Sequence, residues 1–91
     1  MSRKRGRLEV IFTILKTVSE HHNSIKPTRL LRSANLSSKS FSDYYSELTA
    51  KNFVKEIPAE NGGRYVTLTD KGFNYLEKYK LITGFINEFE L

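Results

Sequence analysis

Between Ile25 and Gly72 the local signals follow an order that leaves few folds open. Pro27 suits the first turn of a helix, where its missing N–H is no loss, and a helical pattern covers residues 26–34. Asn35-Leu36-Ser37 breaks it: Asn35 tolerates a left-handed C-terminal cap, Leu36 is an apolar plug and Ser37 is a good N-cap. A second helical pattern covers residues 38–51, burying Phe41, Tyr45 and Leu48, with Tyr44 at the edge of the stripe. Two strand-like runs, residues 53–58 and 64–68, flank Glu60-Asn61-Gly62-Gly63, where Asn-Gly is a strong hairpin signal and the extra glycine loosens the tip. Thr69-Asp70-Lys71-Gly72 then opens another helix, with Thr69 as N-cap and Asp70 favouring the helix dipole.

The flanks extend this order. Leu8, Ile11, Phe12, Leu15 and Val18 form one face of a helix over about residues 7–20, and Val10 and Ile14 widen it. His21-His22-Asn23-Ser24 reads as its polar end and a loop. Lys26 is pushed out of the α region by the proline after it, so a one- or two-residue strand at Ile25 is expected to pair with the hairpin. Asn52 stands where a left-handed cap should close the second helix. Helix, turn, helix, hairpin, helix is the order of a winged helix-turn-helix domain, mainly α with a small β-hairpin. Its use is to set one helix in the DNA major groove.

Ninety-one residues make one domain near the small end for a core that stands alone. With 38% apolar and 27% charged residues, the chain reads as globular rather than disordered. It has no cysteine, and hence no disulfide framework or cysteine-based zinc site. Two adjacent histidines are too few for a metal site without matching carboxylates, so no metal or cofactor is expected. No apolar run reaches the roughly 18 residues of a membrane span, and the basic start is not followed by a signal-peptide core. A cytoplasmic, nucleoid-associated location is the expectation.

The net charge of +5 is unevenly spread. Arg3, Lys4, Arg5 and Arg7 make residues 1–7 a basic arm, and residues 26–51 hold five basic against two acidic residues. Residues 8–25 and 52–91 are each slightly acidic. That asymmetry suits a polyanion partner, although a basic surface also serves solubility.

Three sets of residues are candidates for contact with double-stranded DNA. On the outer face of residues 38–51, Ser38, Lys39, Ser42, Asp43 and Ser46, with Ser37 at the cap, can reach phosphates or base edges. That face lacks the Arg, Asn and Gln that read guanine and adenine bidentately, so modest sequence preference is expected. At the hairpin tip, Asn61, Gly62 and Arg64 could test the minor groove, with Glu60 beside the arginine. The arm, with Lys26, Thr28, Arg29 and Arg32, would grip phosphates and set affinity. Stacking of single-stranded bases on Tyr44, Tyr65, Tyr75 and Tyr79 fits the spacing less well than core and interface roles. Asp43 and Glu47, one turn apart, read as solvated charges, and no catalytic constellation is visible.

In the last helix Phe73 and Leu76 are expected in the core. Tyr75, Tyr79, Ile82, Ile86 and Phe89 follow 4-3-4-3 spacing, a heptad seam for pairing two copies. The other arrangement is a bend at Gly84 that folds the helix back on helix one. The expected organisation is thus an arm over residues 1–7, the winged domain over 8–72 and a dimerisation helix over 73–91.

Ile25-Lys26-Pro27-Thr28-Arg29-Leu30, Ala34-Asn35-Leu36-Ser37, Lys51-Asn52-Phe53-Val54 and Leu68-Thr69-Asp70-Lys71-Gly72 resemble a family of small archaeal winged-helix DNA-binding proteins. That family includes chromatin-associated proteins and predicted transcriptional regulators. The resemblance implies a homodimer joined by C-terminal helices as an antiparallel coiled coil, with recognition helices and wings spread for DNA. Here Asn52 replaces the usual glycine, and Gly84 interrupts a short last helix. The expected function is a homodimeric transcriptional regulator; a general chromatin protein and a protein-interaction module are the alternatives, and no enzyme activity is expected.

Overall fold

The computed structural model describes residues 6–91. The element order is α1 (Arg7–Glu20), α2 (Pro27–Ala34), α3 (Ser38–Ala50), β1 (Val54–Pro58), β2 (Arg64–Leu68) and α4 (Asp70–Glu88). Each boundary has a local cause. Asn35 closes α2 with φ 56°, and the Ser37 hydroxyl oxygen caps α3 by accepting the Ser40 N–H at 3.1 Å. Asn52, with φ 65°, ends the turn after α3 in the left-handed conformation that glycine or asparagine adopts most cheaply. The Thr69 hydroxyl oxygen accepts the Gly72 N–H at 3.2 Å and starts α4.

The core forms where α1, α2, α3, the hairpin and the start of α4 converge. Ile14, Leu15, Val18, Leu30, Leu48, Val54 and Val66 are fully buried. α1 buries the side centred on Val10, Ile14 and Val18, with Ile11 and Leu15, while Leu8 is 57% exposed. The apolar stripe is therefore rotated away from Leu8, and α2, β2 and α4 pack against α1.

β1 and β2 pair antiparallel, with Val54 opposite Leu68, Glu56 opposite Val66 and Pro58 opposite Arg64. Ile25 adds the expected stub: its N–H donates to the Val66 carbonyl at 3.2 Å, and the Val66 N–H donates back at 2.8 Å. Only Val54 is buried on β1, whereas Val66, Thr67 and Leu68 are buried on β2. At the tip only Gly62 has positive φ, at 87°, and Asn61 does not. Residues 59–63 form a wider turn closed by Ala59 N–H donating to the Gly63 carbonyl, so one left-handed residue suffices.

The α1–α2 connection holds His22 and Asn23 in the left-handed region, at φ 59° and 57°. The Asn23 side-chain oxygen accepts the Leu68 N–H at 2.7 Å, fastening this loop to the end of β2. Nothing local in the sequence signals this bond.

α4 runs unbroken through Gly84 to Glu88, roughly 28 Å at 1.5 Å per residue, without the bend that would fold it back. Leu76 is buried as expected, but Phe73 is 38% exposed. Gly72 explains the difference, since that side of the first turn lies against the backbone of Phe53 and leaves Phe73 beside the contact. Tyr75 and Tyr79 serve their own chain: the Tyr75 hydroxyl donates to the Leu8 carbonyl at 2.7 Å, and Tyr79 stacks on Phe12 with centroids 4.3 Å apart. Beyond Tyr79 the helix leaves the core.

A Cβ on Gly72 would lie 2.4 Å from the Phe53 carbonyl oxygen, whereas one on Gly84 would meet nothing within 4 Å. Gly72→Ala is expected to cost about 1–3 kcal/mol, lowering Tm by roughly 5–20 °C. Gly84→Ala should instead raise Tm by a few degrees, as an exposed helical glycine gains about 1 kcal/mol. Thermal melts followed by circular dichroism check both; equal shifts of one sign would contradict this packing.

Candidate nucleic-acid interface

The expected contact residues fall into two groups according to what their charges already touch. Ser38, Lys39, Ser42, Asp43 and Ser46 all lie exposed on one face of α3. The face is shaped from behind by Phe41 and Leu48, which bury the opposite side. Its one cation is matched within a turn, with Lys39 Nζ 3.6 Å from Asp43. The pair softens the repulsion that Asp43 would offer a phosphate, and equally the attraction offered by Lys39.

Arg7 sits in the first turn of α1 and forms an ion pair with Glu47 of α3, rather than extending as part of an arm. Lys51 reaches the same carboxylate at 2.7 Å. The hydrogen bonds from Arg7 and then Lys51 pull the Glu47 carboxyl down to about 2. Glu47 is thus a junction between α1 and α3 and not a freely solvated charge. Arg3, Lys4 and Arg5 lie outside the described residues.

On the wing, Arg64 Nη1 donates to Glu56 at 2.9 Å, and the Tyr45 hydroxyl donates to the same carboxylate at 2.5 Å. The bond from Tyr45, then that from Arg64, holds Glu56 below the usual carboxylate range, while burial and the Glu56 contact push the Tyr45 phenol up. The partner of Arg64 is therefore Glu56, not the neighbouring Glu60. The register contains the signal: Glu56 faces Val66 and Pro58 faces Arg64, so Glu56 and Arg64 are diagonal neighbours within reach of long side chains. Arg64 stays 72% exposed, and Asn61 and Gly62 are exposed at the tip.

Lys26, Arg29 and Arg32 behave differently. All three are exposed, and none of their side chains has an ion-pair or hydrogen-bond partner among the described residues. With Thr28 and Ser33 they line an open depression of about 440 Å³ along α2. Lys26 is the N-cap of α2 and supplies no side-chain acceptor, so the first-turn N–H groups are left uncapped on a helix end that favours anions. The free positive charge of the helix-turn-helix segment is thus on α2, not on the α3 face.

Past Tyr79, Leu81, Ile82, Phe85, Ile86 and Phe89 are all exposed, between 40% and 68%. The five seam positions therefore divide: Tyr75 and Tyr79 pack within the chain, and Ile82, Ile86 and Phe89 are left uncovered. Among the described residues no helix is long and apolar enough to cross a membrane.

Three comparisons bear on this arrangement. Over 75 residues the chain is 38% identical to an uncharacterized protein of Methanocaldococcus jannaschii; the match covers 82% of this chain and 32% of the relative, so the chain spans about a third of that protein's length. Its fold is similar to that of F93 from STIV, a winged-helix DNA-binding protein, with a TM-score of 0.72 at 20% identity over 88% of this chain and 91% of the other. A family profile described as winged helix-turn-helix matches residues 4–86. Because that match takes in nearly all of the helices, the wing and α4, the chain belongs to the winged helix-turn-helix family.

Proposed function

We propose that this protein binds double-stranded DNA as a homodimeric transcriptional regulator. The observation that carries the reading is the row of cations on α2, Lys26, Arg29 and Arg32, whose side chains have no partner among the described residues, beside an exposed α3 face. Unpaired cations release counterions from DNA without first giving up a protein partner. In this reading α3 enters the major groove, α2 holds the flanking phosphates, and residues 1–7 add an electrostatic grip. Arg64 approaches the minor groove after exchanging Glu56 for the negative potential there. The described fold of F93, a winged-helix DNA-binding protein, supports the same use of the fold.

The chemistry of α3 favours a second reading for the biological role. Its exposed face offers serines, one lysine and one aspartate, and no Arg, Asn or Gln to read a base edge bidentately. Weak base discrimination suits a general chromosomal protein, with preference arising from DNA shape.

Dimerisation is proposed through residues 73–91, and specifically through the part of α4 beyond Tyr79. Burying Ile82, Phe85, Ile86 and Phe89 against a second copy would contribute on the order of several kcal/mol, at about 1.5–3 kcal/mol for each fully buried side chain. Residues 8–72 then form the DNA-binding unit.

Anisotropy titration of a labelled mixed-sequence duplex over a range of salt tests the DNA reading. Arg29→Gln/Arg32→Gln should weaken binding about tenfold or more and flatten the salt slope by about 2 per subunit. Lys39→Gln should have a much smaller effect, because Asp43 already offsets it. Unchanged affinity and slope in the double variant would contradict the assignment of α2. For the dimer, Ile82→Glu/Ile86→Glu should sediment as a monomer where the parent is a dimer. The same mass for both proteins would reject α4 as the dimer contact.

A further inference from the structure

A second depression, of about 380 Å³, adjoins the first and shares Lys26 and Arg29 with it. Its remaining walls are His21, His22, Ser24, Ile25 and Tyr65. Three parts of the fold meet here: the end of α1 with its loop, the first turns of α2, and β2. The walls are held in place. The Ile25–Val66 bridge ties the loop to β2 beside Tyr65, and the Asn23 side chain fastens it again at Leu68. His22 and Asn23 keep the left-handed backbone that this path requires.

Its chemistry suits a tetrahedral oxyanion. Lys26 and Arg29 bring two full charges without partners among the described residues, and Ser24 and Tyr65 bring hydroxyls. Among the described residues no carboxylate lines the space. Glu20, next to His21, pairs with Lys16 at 3.9 Å, and Glu60 shares a different depression with Tyr65 at the wing tip.

His21 makes the site sensitive to protons. Its Nδ1 lies 2.8 Å from the Thr17 carbonyl, which can only accept, so the ring carries its hydrogen on Nδ1. In the neutral ring Nε2 is then a lone-pair acceptor and repels an oxyanion. In the protonated ring the same atom is a charged donor. An oxyanion in the space is attracted by the protonated ring and repelled by the lone pair of the neutral one. Anion binding and proton uptake therefore reinforce each other.

We propose that this depression binds a phosphate-type oxyanion, and that protonation of His21, assisted by His22, strengthens the grip. The source is either a DNA backbone phosphate, which rests on the function proposed above, or a small phosphorylated molecule, which does not. Two NMR titrations of the full chain separate them, one with inorganic sulfate and one with a mixed-sequence duplex. The charge of neither probe changes between about pH 6 and pH 8, where histidine switches. Sulfate is expected to shift the signals of His21, His22, Lys26, Arg29 and Tyr65 selectively and to bind roughly three- to tenfold tighter at the lower pH. His21→Gln/His22→Asn, where asparagine keeps the left-handed preference, should retain the parent spectrum elsewhere and lose the pH dependence. If the duplex behaves as sulfate does, the oxyanion is a backbone phosphate. If sulfate alone does so, the site serves a free anion, and only the DNA reading fails. Sulfate shifts that are independent of pH, or spread equally to Lys78 and Lys80, would overturn the proposal, even where duplex binding persists.

Discussion

β2 is the strand on which the rest of the structure hangs. It is paired along its length with β1, bridged at Val66 by Ile25, and packed on by α1, α2 and α4. Val66 has no exposed surface, and Thr67 and Leu68 on either side of the pleat are also buried. A two-stranded hairpin is marginal in water by itself, so this one depends on the helices that cover it. The helices depend on it in turn: Ile25 fixes where α2 begins, Asn23 fixes where β2 ends, and Thr69 follows at once to start α4. The loop from His21 to Lys26 is consequently fastened to β2 at two points, and the cations beside it are presented from that frame.

A second constraint governs what the surface can do. Ion pairs take up Arg7, Lys39, Lys51 and Arg64, each with a carboxylate on a neighbouring turn, helix or strand. Exposed pairs of this kind are screened by water and contribute too little to hold the fold. Their effect is on position and availability. Glu47 aligns α1 with α3, and Glu56 joins the wing to α3 through Tyr45. Within the helix-turn-helix segment the positive charge left over lies on α2. A polyanion meeting this surface finds α2 ready and the wing arginine engaged, which makes exchange of Glu56 for phosphate part of any contact by the wing.

The order of elements and nearly every boundary were legible in the sequence because caps are local. Asn35, Ser37, Asn52 and Thr69 each act within a few residues, and each does in the structure what its chemistry suggests. Ile25 was legible for a similar reason, since Pro27 forces the preceding backbone to extend. The site was legible only as a set of residue types. Arg7 and Glu47 are forty residues apart and meet through packing, and Glu56 reaches Arg64 only once the register is known. Helical spacing also carries no information about which helix covers which face. Tyr75 and Tyr79 share the spacing of Ile82 and Ile86, yet α1 covers the first pair and leaves the second exposed. Phe73 stands outside the core for a reason that no periodicity shows, the close approach of Gly72 to Phe53.

The central claim is that DNA is held by α2 and α3 and that the distal part of α4 faces elsewhere. Mapping backbone amide shifts of the labelled protein on addition of a mixed-sequence duplex tests it most directly. The account predicts the largest changes at Lys26, Thr28, Arg29 and Arg32, further changes at Ser38, Ser42, Ser46 and Arg64, and little change from Leu81 to Phe89. Changes confined to the end of α4, or none at α2 in low salt, would contradict it.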